Sequence, residues 1–403
     1  MSGWRHLAPV HSPLSIAAVL AGVGSAVVRD GRSSRAETQI ATLLRERYAA
    51  KAVLLTDSGT TALTAALRAI AKDQRGSAVA LPAYACYDLA TAADGANTPV
   101  FLYDLDPHTL APDMGQIDAI LRRGVGAIVA AHFYGCPVDL SEMNRLAATH
   151  DTVVIEDAAQ ALGATLHNRP AGSQSSLAVL SFGRGKGLTG GSGGALLAHD
   201  AAGQRILDRA RGYLGAARRG WAELLAITAQ FLFERPNVYA VPAALPFLRL
   251  GETIYRAPQP LLEPTSASCS VIAATWQLAE RESELRRRHA ERLLTELRAQ
   301  PDFETIAISR HARAGYLRLP VLTSPQVRRS VAAGAARRLG IMPGYPQALS
   351  ELEGFRTRCI NRDAAFPGGR LLAERLCTLP THGHLDSRDL ARLEHWIRTA
   401  GQR

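Results

Sequence analysis

The chain has 403 residues, with 46 Lys or Arg against 36 Asp or Glu and a formal net charge of +10. That length can bury a full core and suits one large and one smaller domain. Its 47% hydrophobic and 20% charged content excludes a disordered or fibrous chain, and no basic block with interleaved aromatics marks a nucleic-acid surface.

Five scattered cysteines (Cys86, Cys136, Cys269, Cys359, Cys377) lack metal-ligand spacing, so the expectation is a reducing, cytoplasmic setting and no metal site. The first residues carry no charged start followed by an apolar run, so no signal peptide is expected. The excess of arginine admits an anionic substrate or a membrane surface, and equally a bias toward Arg and Ala.

Residues 1–34 read as an arm and 35–50 as an amphipathic helix leading to a strand over Ala52–Thr56. Ser58, Gly59 and Thr60 then open an Ala- and Leu-rich helix, whose unpaired N–H groups and dipole favour an anion. Strands follow at Ala78–Leu81, Val100–Leu105, Ala127–Ala131, Val153–Glu156 and Leu177–Phe182, alternating with helices such as Met114–Arg122 and Ser141–His150. Several are continuous apolar runs, the pattern of a mostly parallel sheet covered by helices on both faces. Ligands bind such sheets at the carboxyl ends of strands, where Ser58, His132, Asp157 and Ser181 fall.

After Asp200 the pattern changes. Residues 204–235 read as helices and 236–264 as a proline-containing loop. The apolar stretch Leu224–Leu250 is broken by Glu234, Arg235, Pro236 and Pro242, too interrupted to span a bilayer but open to peripheral contact. A long charged helix is predicted over Ser270–Leu297, then a strand at Gly315–Val321 and helices at Pro325–Leu339 and Ser387–Ala400. The domains expected are a large one over 1–250 and a smaller α/β one over 251–403.

Lys186 is one of only three lysines, with Lys51 and Lys72, and sits in a glycine-rich loop after an apolar strand. An amine, the Asp157 carboxylate and the Ser181 hydroxyl, each near a strand end, suit pyridoxal 5'-phosphate. Its aldehyde needs an amine, its ring nitrogen an anion, and its phosphate hydroxyls and backbone N–H groups. Asp157 also reads as a helix N-cap, and because Glu156 precedes it one of the two must point away. Gln160 could reach the cofactor's 3-hydroxyl. His132 reads equally as a group under the ring or a core histidine, and Tyr84, Cys86 and Tyr87 sit where a planar ring needs a stacking face.

Six motifs in order strengthen this reading: SGTTALTAAL (58–67), LPAYACYDLATAA (81–93), PVFLYDLDPHTL (99–110), HFYGCPVDL (132–140), VIEDAAQALGA (154–164) and SFGRGKGLTGGSGGAL (181–196). With CTLPTHGHLDSRDLARL (377–393), they resemble the DegT/DnrJ/EryC1/StrS family of pyridoxal-phosphate-dependent sugar aminotransferases of fold type I. The resemblance implies a Schiff base on Lys186, with Asp157 as partner of the ring nitrogen and both as catalytic residues. It implies cofactor contacts from Gly59, Thr60, Gln160 and Ser181, and a homodimer with shared sites. The implied activity is transfer of an amino group from glutamate or glutamine to a keto group of a nucleotide-linked sugar, in polysaccharide or natural-product assembly.

Two departures stand out. The family's Gly-aromatic-Asn-aromatic-Arg stretch corresponds to LRLGETIYRAPQP (248–260), which has no asparagine, and its stacking aromatic aligns with Cys86. They leave open another pyridoxal-phosphate reaction on a non-sugar substrate, or a non-catalytic pyridoxal-phosphate-binding sensor.

Overall fold

The computed structural model describes residues 5–27, 32–72, 77–218, 220–245 and 253–402. Two helices lead in, α1 (Ile16–Val27) and α2 (Arg32–Tyr48). They are followed by β1 (Ala52–Thr56), α3 (Gly59–Ala71), β2 (Val79–Pro82), α4 (Tyr87–Gly95), β3 (Val100–Tyr103), α5 (Met114–Leu121) and β4 (Ala127–Ala131). Next come α6 (Ser141–Thr149), β5 (Val153–Asp157), two short strands β6 (Thr165–Leu166) and β7 (Arg169–Pro170), then β8 (Leu177–Ser181) and β9 (Gly194–Ala198). The main sheet has the order β1-β9-β8-β5-β4-β2-β3. Strands β3, β2, β4, β5 and β8 pair in parallel, and β9 runs antiparallel between β8 and β1.

The parallel strands are short runs of Val, Ile, Leu and Ala buried on both faces, which is why helices must cover each side. The sequence reading passed over β9. Its GALLA carries two alanines and a glycine, residues of low strand propensity, and its pairing is set by neighbours far along the chain. Gly194 is required there, because a Cβ would lie 2.4 Å from the Gly59 nitrogen.

Two helices follow the sheet, α7 (Ala201–Arg211) and α8 (Trp221–Phe233), then a single turn, α9 (Ala240–Ala243). The long helix α10 (Ser266–Arg298) starts four residues before its predicted start, capped by Thr265, whose hydroxyl accepts from the Ser268 N–H. It packs on α1 and α2 at one end and on a second sheet at the other. That sheet joins β10 (Phe303–Thr305), β12 (Leu319–Thr323), β13 (Met342–Pro343) and β14 (Leu376–Leu379), while β11 (Ala312–Arg313) pairs with β6. The strand predicted at Gly315–Val321 lies at β12, shifted toward the C-terminus. The predicted helix Pro325–Leu339 stops at α11 (Pro325–Ala332), with Gly334 at φ +87° beyond it. Three helices complete the chain, α12 (Glu353–Arg356), α13 (Pro367–Arg375) and α14 (Ser387–Thr399).

The N-terminal segment is tied to the second sheet. Leu7 is fully buried in its core, the Leu7 N–H donates to the Arg338 carbonyl, and the His382 ring nitrogen Nε2 lies 2.9 Å from the Ala8 carbonyl. The region compared with the family's asparagine stretch is described from residue 253 onward. There Tyr255 donates its hydroxyl to Asp94 at 3.0 Å, and Thr91 donates to the Arg256 carbonyl.

Candidate active site

Strand alternation separates Glu156 from Asp157. Glu156 is fully buried behind the sheet and accepts from the Gly172 N–H at 2.5 Å and the Gln174 N–H at 2.8 Å. Its Oε1 lies 2.6 Å from His132 Nε2, and His132 Nδ1 accepts from the Val138 N–H at 3.1 Å. Those contacts place the His132 proton on Nε2 and use both ring nitrogens, so His132 is a satisfied core histidine. Burial raises the Glu156 carboxyl, but the hydrogen bonds from His132, Gly172 and Gln174 outweigh it and hold the group below its usual range.

Asp157 faces the other way, into a cleft that it lines together with Leu63, Leu89 and Val179. No helix follows it, so it is not an N-cap. Its Oδ1 instead accepts from the Ala159 N–H at 3.0 Å in a local turn. Burial pushes its carboxyl up, while that N–H and the Lys186 charge pull it down.

All six residues singled out as catalytic or cofactor-binding line this cavity: Gly59, Thr60, Asp157, Gln160, Ser181 and Lys186. Gly59 and Thr60 are the first two residues of α3. Ser58 caps that helix by accepting from the Thr61 N–H at 3.0 Å, which leaves the earlier N–H groups at the cavity wall. Ser181 closes the adjoining strand, and a Cβ at Gly59 would stand 3.0 Å from the Ser181 Cβ. Lys186 is carried on a turn in which its N–H donates to the Gly183 carbonyl, with Gly185 at φ +76°. Its own carbonyl accepts from the Ser12 hydroxyl at 2.6 Å.

Of the three side chains proposed for stacking, only Cys86 lines the cavity. Tyr84 is buried in a cluster with Tyr134 and Tyr345, and its hydroxyl accepts from the Tyr345 N–H at 2.8 Å. The cavity face supplied here is a thiol, not a ring, and burial pushes the Cys86 thiol well up, so it stays protonated. Gln160 is held on both sides of its amide: Oε1 accepts from the Tyr134 N–H and Nε2 donates to the Tyr345 hydroxyl at 2.8 Å. One amide hydrogen remains for a ligand. Two contributors escaped the sequence reading. Asp88, at the start of α4, lines the cavity, and Ser12 anchors the lysine loop. Asp88 follows Cys86 by two residues in a motif already singled out, a signal that was available. Ser12 carried none.

The donor set fits pyridoxal phosphate. A helix N-terminus with two hydroxyl side chains beside it suits a phosphate, a half-buried carboxylate suits a protonated ring nitrogen, and one amine suits an aldehyde. Among the described residues no His, Cys, Asp and Glu cluster could hold a metal ion, and no helix is long and apolar enough to cross a membrane.

The DegT/DnrJ/EryC1/StrS aminotransferase family model matches residues 16–226 and 265–398. The chain belongs to that family. A 156-residue stretch is 33% identical to the L-glutamine:2-deoxy-scyllo-inosose aminotransferase of Micromonospora echinospora, covering 39% of this chain and 37% of that one. Another, of 159 residues, is 36% identical to the UDP-N-acetyl-3-dehydro-alpha-D-glucosamine 3-aminotransferase of Acidithiobacillus ferrooxidans, covering 39% and 42%. The matched stretches thus span about two fifths of these relatives. Among solved structures, PseC of Helicobacter pylori, an aminotransferase involved in the biosynthesis of pseudoaminic acid, superposes with TM-score 0.78 at 13% identity, over 99% of this chain and 100% of that one. The sugar aminotransferase CalS13 of Micromonospora echinospora gives 0.75 at 19%, over 99% and 100%. Both share the fold.

Proposed function

We propose that this chain is a pyridoxal-phosphate-dependent aminotransferase that moves an amino group from L-glutamine or L-glutamate to a keto carbon of a nucleotide-linked sugar. The observation that carries this is the meeting of Lys186, Asp157, Ser181 and the α3 N-terminus around one cavity in a member of this family. The names of the relatives supply the donor and the ketone class.

Pyridoxal phosphate, when bound, supplies an aldehyde that takes up amines and a ring that accepts electrons. The protein's part follows from its own groups. Lys186 Nζ is the amine that would hold the cofactor's aldehyde and, when free, would move a proton at the substrate carbon. Asp157, anionic beside a cation, keeps the ring nitrogen protonated. Gly59, Thr60 and Ser181 hold the phosphate through N–H and hydroxyl donors. The enzyme works as a homodimer in the cytoplasm.

The test supplies the cofactor-loaded protein with L-glutamine and one of two acceptors, UDP-N-acetyl-3-dehydro-glucosamine or 2-deoxy-scyllo-inosose, and reads the product by mass. Amination of the nucleotide-linked ketone supports the proposal. Amination of the free cyclitol alone replaces the nucleotide sugar by a cyclitol, and amination of neither, with glutamate also inert, contradicts an aminotransferase on this ketone class.

A further inference from the structure

Arg318 differs from the other arginines held inside the chain. Its Nε and one terminal nitrogen are enclosed without a partner, and its side chain makes no hydrogen bond or ion pair among the described residues. Arg286, Arg287 and Arg328 also leave Nε unpaired, but each donates through a terminal nitrogen, to the carbonyls of His11, Gly163 and Ala373. The remaining terminal nitrogen of Arg318 is neither bonded nor enclosed, so it is the edge that a ligand can meet. A guanidinium does not shed its charge, and holding it away from water without an anion is strongly unfavourable. Burial lowers its pKa, and the groups that counter this are the hydroxyls of Tyr134, Tyr345, Tyr84 and Tyr239. Burial pushes Tyr134 and Tyr239 up to about 12 and Tyr84 and Tyr345 well above the usual tyrosine value. All four stay neutral and supply no counter-charge.

The same tyrosines connect Arg318 to the candidate site. Arg318 stands just before β12, and its N–H lies 3.5 Å from the Tyr134 carbonyl. Tyr134, in the turn after β4, has φ +57°, and Tyr316, two residues before Arg318, has φ +42°. The two segments are tied by the Gly315 N–H, which donates to the Gly135 carbonyl at 2.8 Å. Left-handed backbone at two tyrosines is strained, and such strain persists where the surroundings over-determine it, as they do around ligands. The Tyr134 and Tyr345 rings stack with centroids 5.7 Å apart. Both residues hold Gln160, which lines the cleft with Asp157 and Lys186.

We propose that Arg318 receives an oxyanion of a substrate, with the tyrosine hydroxyls as neutral donors around it. A guanidinium pairs two nitrogens with two oxygens of a carboxylate or a phosphate, and its planar fork suits such a site better than an ammonium. The cleft lining holds Lys186 against Asp88 and Asp157 and includes no arginine. The positive charge that an anionic substrate needs must therefore come from behind that lining. On the function proposed above, two substrate groups carry this chemistry: the carboxylate of the amino donor and the diphosphate of the nucleotide-linked ketone. The identity of the anion rests on that reading, and the need for one rests on the unpaired guanidinium. The enclosed nitrogens lie within the chain, between the turn after β4 and the start of β12, and are not part of a face that a second protomer would cover.

The experiment measures binding by calorimetry to the full chain loaded with pyridoxal phosphate, as wild type, Arg318→Met and Arg318→Lys. The probes are glutarate, which carries both carboxylates of glutamate and no amine, and UDP, which carries the diphosphate. At least one probe is expected to bind about tenfold to a hundredfold more weakly to Arg318→Met, with partial recovery in Arg318→Lys. Weakening of glutarate assigns the donor's carboxylate, and weakening of UDP assigns the diphosphate. Because the charge removed has no partner in the fold, the melting temperature of Arg318→Met should equal or exceed that of wild type. The proposal is overturned if neither probe binds wild type, or if both bind the variants unchanged. A clearly lower melting temperature in Arg318→Met also overturns it, since the guanidinium would then serve the fold. So does a dimer that splits in the variant while both probes bind as before, which would assign the guanidinium to the second protomer. Binding requires no turnover, so a probe that depends on Arg318 in a protein that fails the amination test would contradict the reaction and leave the oxyanion site standing.

Discussion

Ser12 and Lys186, 174 positions apart, are joined by a hydrogen bond in which the serine hydroxyl donates to the lysine carbonyl at 2.6 Å. The N-terminal segment therefore holds the backbone of the loop from which the proposed cofactor lysine extends. Arg286, buried in the middle of α10, in turn donates to the His11 carbonyl at 2.6 Å. One segment thus connects the lysine loop, the long helix and, through Ala8, the second sheet.

Ser12→Ala removes that bond and leaves the carbonyl beneath the arm without this donor. The expected loss of stability is about 1 kcal/mol by urea unfolding. The larger effect is expected on cofactor retention: release of pyridoxal phosphate during dialysis should quicken several-fold. Retention equal to wild type would show that the loop holds its shape unaided.

Adjacent residues on β5 should give opposite phenotypes. Glu156→Gln replaces a buried carboxylate that only accepts, from His132 Nε2–H and two backbone N–H groups, by an amide whose own N–H groups meet those donors, and should cost about 3 kcal/mol. Asp157→Asn removes a carboxylate that burial already disfavours, so stability should stay within about 1 kcal/mol. Turnover should nonetheless fall roughly 10²–10³-fold, the size expected when one fixed electrostatic partner of the reacting system is lost. Thermal melts and single-turnover rates on the two variants separate the roles.

Acid should destabilise the fold before ordinary carboxylates titrate. Burial holds His11 down to about 3 and lowers His382, His384 and His199 below the usual histidine range. These rings stay neutral in the folded chain but take up protons when unfolded below about pH 6.5. Stability is therefore complete above that pH and falls as pH drops, by up to ~1.4 kcal/mol per pH unit for each ring. Glu234, pushed up to about 7 by burial, works in the opposite direction between its unfolded and folded values and offsets roughly one ring. The melting temperature should drop between pH 7 and pH 5, and His382→Asn should flatten the slope. An unchanged slope in that variant would contradict the assignment for His382.

Much of the fold was legible because its signal is local. The parallel strands are short apolar runs, and the cavity residues fall where such a sheet binds ligands, at strand ends. Strand alternation required that one of Glu156 and Asp157 turn away, but which one did so depended on His132, Gly172 and Gln174, contacts made through space. The same holds for Ser12, which carries no local signature, and for β9, whose weak composition is offset by two well-paired neighbours. Tyr84 looked like a stacking ring because it lies two residues before Cys86. Its hydroxyl is instead committed to the Tyr345 backbone in another part of the chain. Asp88 is legible in principle, as a carboxylate two residues past Cys86 in the same motif.

The central claim is that Lys186 is the residue that carries pyridoxal phosphate. The chain has only two other lysines, Lys51 and Lys72, which makes the claim simple to test. The protein is loaded with pyridoxal phosphate, reduced with borohydride, digested and mapped by mass spectrometry. The account predicts a stable phosphopyridoxyl increment on the peptide containing Lys186, lost in Lys186→Ala. An increment on Lys51 or Lys72 alone, or no increment on protein that still binds the cofactor, would contradict it.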